Sequence, residues 1–353
     1  MSLRRRTPRG GSVAAVALAA AAALVLTACG GQDDKAAKPG KEAPAGGTEK
    51  KAAAQGGKDF SGAAKKTAAF GTTAAAGQFP RTVTHAMGST EIEAAPKRVV
   101  VLDVGELDNV VSLGMQPVGY APTEGDEGIP GYLKKDAGEP KSVGTINNLN
   151  LEAINALKPD LILGSQLRSA DKYDALSKIA PTVFSIRPGF PWKENYLLNA
   201  AALDKTAEAK AKLDAYQAKA AKLGADLGEK KPTVTMLRYM PGKTRLYAGA
   251  SFIGTILKDS GIPRPQNQQV EDLAVEISPE RMDEAAADWI FTGVYGAKDK
   301  TKRDSAEDNP LWKGLEAVKQ GQAKDVPDET WYLGLGVTAA DKVLDDLRTF
   351  LVK

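Results

Sequence analysis

From Pro80 onward the chain alternates between unbroken apolar runs and stretches with an apolar residue every three or four positions. Val99-Val100-Val101-Leu102 and Leu161-Ile162-Leu163 contain no polar residue to face water. That is the pattern of a parallel strand covered on both sides. Between them, residues 106–113 read as a helix stopped at Gly114, Val118-Gly119-Tyr120 as a strand, and residues 151–157 as a helix broken at Pro159-Asp160. Residues 81–87 and 90–93 read as a short hairpin ahead of them. Residues 233–237 form the next apolar strand, and 252–257 a helix ending near Gly261-Ile262-Pro263. Strands alternating with short helices predict an α/β fold with mostly parallel central sheets.

Two helix–strand units repeat each other. The stretch starting at Leu151 has Glu152, then apolar Ile154 and Leu157, then Asp160, then the strand Leu161-Ile162-Leu163. The stretch starting at Pro279 has Glu280, Met282, Ala285, Asp288 and Trp289-Ile290-Phe291 at the same spacings. Related units in the two halves predict two lobes, residues 80–203 and 229–353. Residues 204–228 lie between them, without proline and with Leu213, Tyr216, Ala220 and Leu223 at helical spacing. A helix of about 22 residues spans about 33 Å, a stiff connector that limits hinge closure.

The first eighty residues are different. Arg4, Arg5, Arg6 and Arg9 precede an uncharged, mostly apolar run over residues 13–26, too short to span a bilayer. The sequence Leu26-Thr27-Ala28-Cys29-Gly30 follows, with the chain's only cysteine. This order resembles a bacterial lipoprotein signal over residues 1–28, with Cys29 as the lipid-bearing first residue of the mature chain. Residues 30–59 have no Val, Ile, Leu, Met, Phe, Trp or Tyr, and Gly, Ala and Lys supply 20 of the 30. Such a segment buries too little apolar area to offset its ordering entropy. A flexible tether over residues 29–79 is therefore expected, with weak apolar spots at Phe60 and Phe70.

Removing the four signal-peptide arginines takes the formal charge from +3 to −1, which withdraws the main support for a nucleic-acid partner. With Cys29 lipidated, no thiol is left for disulfides, metal or catalysis. His85 is the only histidine and lies on the predicted hairpin, where a structural or surface role is expected. Direct zinc, copper or haem–histidine ligation is disfavoured, and so is hydrolysis: there is no G-x-S-x-G and no H-E-x-x-H. No enzyme is expected. An acid-pair glycosidase is not excluded by residue counts.

Pro96-Lys97-Arg98-Val99-Val100, Leu113-Gly114-Met115-Gln116-Pro117-Val118-Gly119 and Leu157-Lys158-Pro159-Asp160-Leu161-Ile162-Leu163 resemble segments of the ferric-siderophore-binding lipoproteins of ABC importers. The resemblance covers residues 81–353 and extends to the desferrioxamine-binding lipoproteins of high-GC Gram-positive bacteria. It implies two α/β lobes joined by one long helix, and a ferric siderophore bound between them. It also implies delivery to an ABC permease at the extracellular face of the cell membrane, through Glu152 and Glu280. A carboxylate in a helix first turn also gains about 0.3–1 kcal/mol from the dipole, and the two roles are compatible. No resident cofactor is implied, because iron arrives with the siderophore supplying its ligands; a monomer is expected. Cobalamin on the same fold stays open.

Ligands of α/β sheets meet the loops at the strands' carboxyl ends. After the strands come Gln166 and Arg168, then Arg187 with Phe190 and Trp192, then Arg238 and Tyr239 with Tyr247 on the returning strand, then Tyr295. Trp331 precedes the final helix, where the resemblance implies a ligand-facing tryptophan. Arginine offers a rigid donor fork for oxygens around a ferric centre, and flat rings cover apolar linkers. This basic, aromatic set favours a hydroxamate such as ferrioxamine. The bland alternatives are surface arginines and, for Tyr239 and Tyr332, core packing. Trp289 and Trp312 are expected in the core or on the surface.

Overall fold

The computed structural model of the protein describes residues 60–124 and 128–352. Residues 1–59, which include the expected signal segment and Cys29, lie outside that range. The first described segment is ordered, contrary to the expected tether out to residue 79. Phe60 and Ala63 are buried, and helix α1 (Ala63–Ala68) packs beside the N-lobe. Gly71 then bridges to Thr84. Sparse apolar residues sufficed here because Phe60, Ala63, Phe70 and Phe79 all land on an existing core.

The N-lobe begins with the hairpin β1 (Arg81–His85) and β2 (Gly88–Ile92). Its central sheet contains β3 (Val99–Val101), β4 (Gly119–Tyr120), β5 (Lys141–Ser142), β6 (Leu161–Ser165) and β7 (Thr182–Ser185). The strand order is β5-β4-β3-β6-β7, every pair parallel. Helices α2 (Val104–Ser112) and α3 (Leu151–Ala156) supply crossovers, and α4 (Trp192–Ala202) follows β7. The residues between the lobes form one 21-residue helix, α5 (Thr206–Asp226).

The C-lobe sheet contains β8 (Val234–Met240), β9 (Lys243–Tyr247), β10 (Ala274–Ile277), β11 (Trp289–Val294) and β12 (Ala323–Asp325), in the order β10-β9-β8-β11-β12. Only β8–β11 and β11–β12 are parallel; β8–β9 and β9–β10 are antiparallel. The tight turn at Gly242, with φ +76°, makes β9 a hairpin return rather than a crossover strand. Helix α6 (Phe252–Asp259) packs below this sheet. The short α7 (Asp328–Trp331) and the long α8 (Val337–Leu351) close the chain.

The internal repeat is a repeat of structure. Asp160 accepts from the backbone N–H groups of Lys97 and Arg98, both at 2.8 Å, at the start of β3. Asp288 accepts from the backbone N–H of Thr233 at 2.7 Å, at the start of β8. Ile154 and Met282, one per unit, are fully buried. Each aspartate thus clamps the strand that pairs in parallel with its own.

One apolar core runs beneath both lobes. Its centre is Trp192, whose ring packs edge-on against Tyr216 of α5 at 5.0 Å and Phe252 of α6 at 5.8 Å. Its indole N–H donates to Thr255 Oγ1 at 2.8 Å. Helix α8 packs against α5, α6 and α2, so the chain's end returns to the N-lobe instead of staying with residues 229–353. Asp108 of α2 accepts from the backbone N–H groups of Thr338 and Ala339 at 3.0 Å each, which caps α8 from the opposite lobe. A Cβ at Gly336 would fall on that carboxyl group.

His85 has the structural role expected of it. Its Nδ1 accepts from the backbone N–H groups of Met87 and Phe184, both at 3.3 Å, and its Nε2 lies 2.9 Å from Thr90 Oγ1. Burial lowers its pKa to about 4, which keeps the ring neutral and the acceptor available.

Trp192→Ala leaves a large void at this junction and should lower stability by about 3–5 kcal/mol, with Trp192→Phe losing distinctly less. Urea unfolding monitored by circular dichroism measures both. His85, with its pKa lower in the folded than in the unfolded chain, contributes stability that is complete above about pH 6.5. That contribution is lost as pH falls toward about 4. His85→Gln should therefore show a shallower decline in urea midpoint than the parent across that window.

Candidate functional site: an arginine-lined interlobe cleft

The carboxyl ends of β3, β6 and β7 form one wall of the cleft. The chain leaves β3 at Asp103, which caps α2 by accepting from the Val104 N–H at 2.7 Å through Oδ1. The other oxygen, Oδ2, takes the Arg168 Nε at 3.0 Å. Arg168 lies just beyond β6, with about a third of its side chain exposed, whereas Asp103 is buried. Asp103 comes first among the causes that raise the Arg168 pKa. One turn into α2, Glu106 is buried. Burial, joined by the Asp103 charge, pushes its carboxyl well above the usual range.

Arg187 follows β7. Its guanidinium lies 4.4 Å from the ring centre of Phe60 and 5.6 Å from that of Phe190, and its Nε donates to the Pro188 carbonyl at 3.3 Å. Burial, then the neighbouring positive charge of Arg168, push its pKa down to about 10. Gln166 is half-buried, and Leu167 beside it is exposed.

The opposite wall is built on β8, β9 and β11. Arg238 points to the cleft side of β8 because alternation sends Leu237 and Tyr239 to the other face. Both Arg238 Nε and Nη2 bind the Asp328 carboxylate, Nε at 2.6 Å, and Nη1 donates to the Tyr247 hydroxyl at 3.1 Å. The ring of Tyr295 covers the guanidinium at 4.7 Å, and that of Tyr332 lies at 5.5 Å. Gly293 makes this possible: a Cβ there would sit 2.9 Å from Asp328 Oδ1 and closer still to the Tyr332 ring.

Tyr295 joins the walls. Its hydroxyl donates to the Glu124 carbonyl of the N-lobe at 3.4 Å, and the phenol also acts electrostatically on Arg168. Other polar contacts cross between the lobes, among them Gly131 N–H to Glu329 Oε2 at 3.0 Å, and the Tyr132 hydroxyl to the Gly334 carbonyl at 3.1 Å.

Of the residues expected from the sequence, Arg168, Arg187, Arg238, Tyr247 and Tyr295 lie together at the strand ends, with Gln166 beside them. Three do not join them. Trp192 has no exposed surface and belongs to the lobe junction. Trp331 is likewise fully buried, packed on Phe291 at 4.9 Å with its indole N–H donated to Asp346 Oδ2 at 2.9 Å. Tyr239 lies in the second apolar core, away from the cleft. A ring without accessible surface has no face to offer a ligand. Tyr332 is also buried, its hydroxyl donating to the carbonyls of Leu237 and Phe291 at 2.9 Å. Trp312 is buried and Trp289 half-buried.

The residues not foreseen are acids: Asp103, Glu106 and Asp328. The first two carry a signal, since Asp103-x-x-Glu106 directly after an apolar strand is a capping-box spacing. Among the described residues, no group of three or more His, Cys, Asp or Glu is placed to hold a metal ion, and no helix is long and apolar enough to cross a membrane.

Comparison with known proteins places this geometry. Residues 99–330 match the model of the periplasmic binding protein family. The probable siderophore-binding lipoprotein YfiY of Bacillus subtilis is 37% identical over 292 residues, covering 77% of this chain and 88% of that protein. The Fe(3+)-citrate-binding protein YfmC of the same organism is 33% identical over 267 residues, covering 74% and 82%. The crystal structure of Staphylococcus aureus SirA complexed with staphyloferrin B superposes with a TM-score of 0.70 at 35% identity, covering 76% of this chain and 98% of that one. An α/β architecture of two lobes over a shared core, with a cleft at the strands' carboxyl ends, identifies the chain as a member of the periplasmic binding protein family, a family of transport substrate-binding proteins.

Proposed function

We propose that this protein captures a ferric siderophore in the interlobe cleft and passes it to an ABC importer, and that the chelate it prefers exposes anionic, carboxylate-type oxygens. The observation that carries the ligand class is the approach of Arg168 and Arg238, one from each lobe, to Tyr295, with Arg187 beside Arg168. Guanidinium groups in partly desolvated surroundings are suited to carboxylate oxygens. Citrate in the name of the relative YfmC supports the ligand class, and siderophore binding in the name of YfiY supports the transport role. The case for a hydroxamate rests on aromatic cover, and three of its rings, Trp192, Trp331 and Tyr239, are buried.

A hydroxamate such as ferrioxamine is the second reading, and one observation favours it. Asp103 and Asp328 already offset Arg168 and Arg238, so the unliganded cleft carries less positive charge than three arginines suggest.

The remaining parts of the transport role are proposals of the same kind. Cys29 carries the lipid and holds the protein at the extracellular face of the membrane. Glu152 and Glu280 contact cationic residues of the permease; both are exposed, at equivalent positions of the two repeated units. The protein acts as a monomer.

The test is a calorimetric titration of the soluble form beginning after Cys29, with ferric citrate in one run and ferrioxamine B in another. Saturable binding of ferric citrate, weakened at least tenfold in Arg168→Ala and Arg238→Ala, is the expected outcome. Binding of ferrioxamine B alone would overturn the ligand class and leave the transport role standing.

A further inference from the structure

Each lobe supplies one cleft arginine whose guanidinium is bound by a buried or nearly buried aspartate at the start of a helix. Arg168 meets Asp103, and Arg238 meets Asp328. The aspartates are fixed in turn. Asp103 shares its carboxylate with the first N–H of α2. Asp328 opens α7 against the bare backbone of Gly293 and meets Arg238 through both oxygens. Neither arginine has many rotamers left.

We propose that Asp103 and Asp328 are positioning residues for chelate binding. They hold Arg168 and Arg238 in the geometry that receives the ligand's anionic oxygens. This inference rests on the anionic-chelate reading above and deepens it. The physical reason is preorganisation. A free arginine side chain loses rotamer freedom when a ligand immobilises it, and one already clamped loses less. A guanidinium has five donors, so an aspartate that engages one or two leaves valence for a ligand. Glu106, adjacent to Asp103, has its carboxyl held toward the neutral form by burial, so it adds little competing charge beside Arg168.

Simple charge arithmetic makes the opposite prediction. Deleting a carboxylate next to a cation that receives an anion should strengthen binding. The sign of the effect therefore separates positioning from charge offset. The experiment is a pair of double-mutant cycles on the mature chain, with ferric citrate titrated calorimetrically at fixed pH and ionic strength. Asp328→Ala is combined with Arg238→Ala, and Asp103→Ala with Arg168→Ala.

The expected result is at least tenfold weaker binding in each aspartate variant. The same substitution should then change affinity less than twofold when its arginine is already absent. Unchanged or tighter binding in the single aspartate variants would overturn the proposal. So would a loss that persists undiminished in the arginine-deleted background, since that is the mark of general damage to the lobe. Should either alanine variant fail to unfold cooperatively, Asp328→Ser and Asp103→Ser replace them, since the shorter hydroxyl still serves a helix start but removes the carboxylate that clamps the guanidinium; they are scored by the same criteria. A parent protein that binds ferrioxamine B and not ferric citrate overturns the anionic-chelate reading and, with it, this proposal; failure of the variants in a parent that binds ferric citrate overturns the proposal alone. A parent that binds neither overturns both.

Discussion

The packing of Trp192 against Tyr216 and Phe252 is the contact on which the other features depend. It joins the first turn of α4, the middle of the interlobe helix and the first turn of α6 into one apolar floor. Two α/β lobes linked by a single helix have no inherent reason to keep a fixed relation to each other. Here a large ring buried at their junction, with its N–H bonded to Thr255, supplies one. The Asp108 cap on α8 adds a second tie, since a carboxylate from one lobe satisfies the open N–H groups of the other lobe's last helix. With the floor fixed from below, the strand ends above it are free to carry polar and charged groups that contribute nothing to the core.

Those groups are costly to hold. Arg187 and Arg238 are almost fully buried, and a guanidinium removed from water needs compensating partners. The two arginines are compensated differently. Arg238 has a bidentate carboxylate, a tyrosine hydroxyl and flanking rings, which together hold its proton tightly. Arg187 is bracketed by Phe60 and Phe190, and burial depresses its pKa. Arg168 is the most accessible of the three. A graded set of this kind, from exposed to deeply held, keeps the three cations close without leaving them bare to repel one another.

Much of the frame was legible because it rests on local pattern. Unbroken apolar runs gave β3 and β6, and the spacing Glu–apolar–apolar–Asp gave the repeat whose aspartates do the same work in both lobes. The long helix followed from its apolar seam. Tyr247 was legible on a returning strand, as β9 is, but the antiparallel pairing of β10 with that return left no local signal. The largest errors concerned Trp192 and Trp331. Each follows a strand or precedes a helix, where a ring turns either toward the cleft or toward the core. Their partners, Tyr216, Phe252, Phe291 and Asp346, are 15 to 60 residues away in the chain, and no local periodicity records them. Phe60 was misjudged for the converse reason, a lone aromatic in polar surroundings whose partner, Phe190, is distant.

A tied floor also constrains how occupancy of the cleft is expressed. The lobes share a core and an interlobe helix cap, so large hinge opening would expose the faces of Trp192 and strip the carboxylate from α8. Breaking the cap alone leaves a buried carboxylate without its amide donors. Rearrangement on ligand entry is therefore concentrated in the contacts above the floor. Of these, the Tyr295 hydroxyl reaches Glu124 at 3.4 Å, the long limit of a hydrogen bond, while its ring covers Arg238. A side chain that spans the cleft, covers one wall's cation and is weakly held by the other wall is the part of the site that yields most easily to a ligand. Movement of that one ring would uncover one face of Arg238 without disturbing the floor.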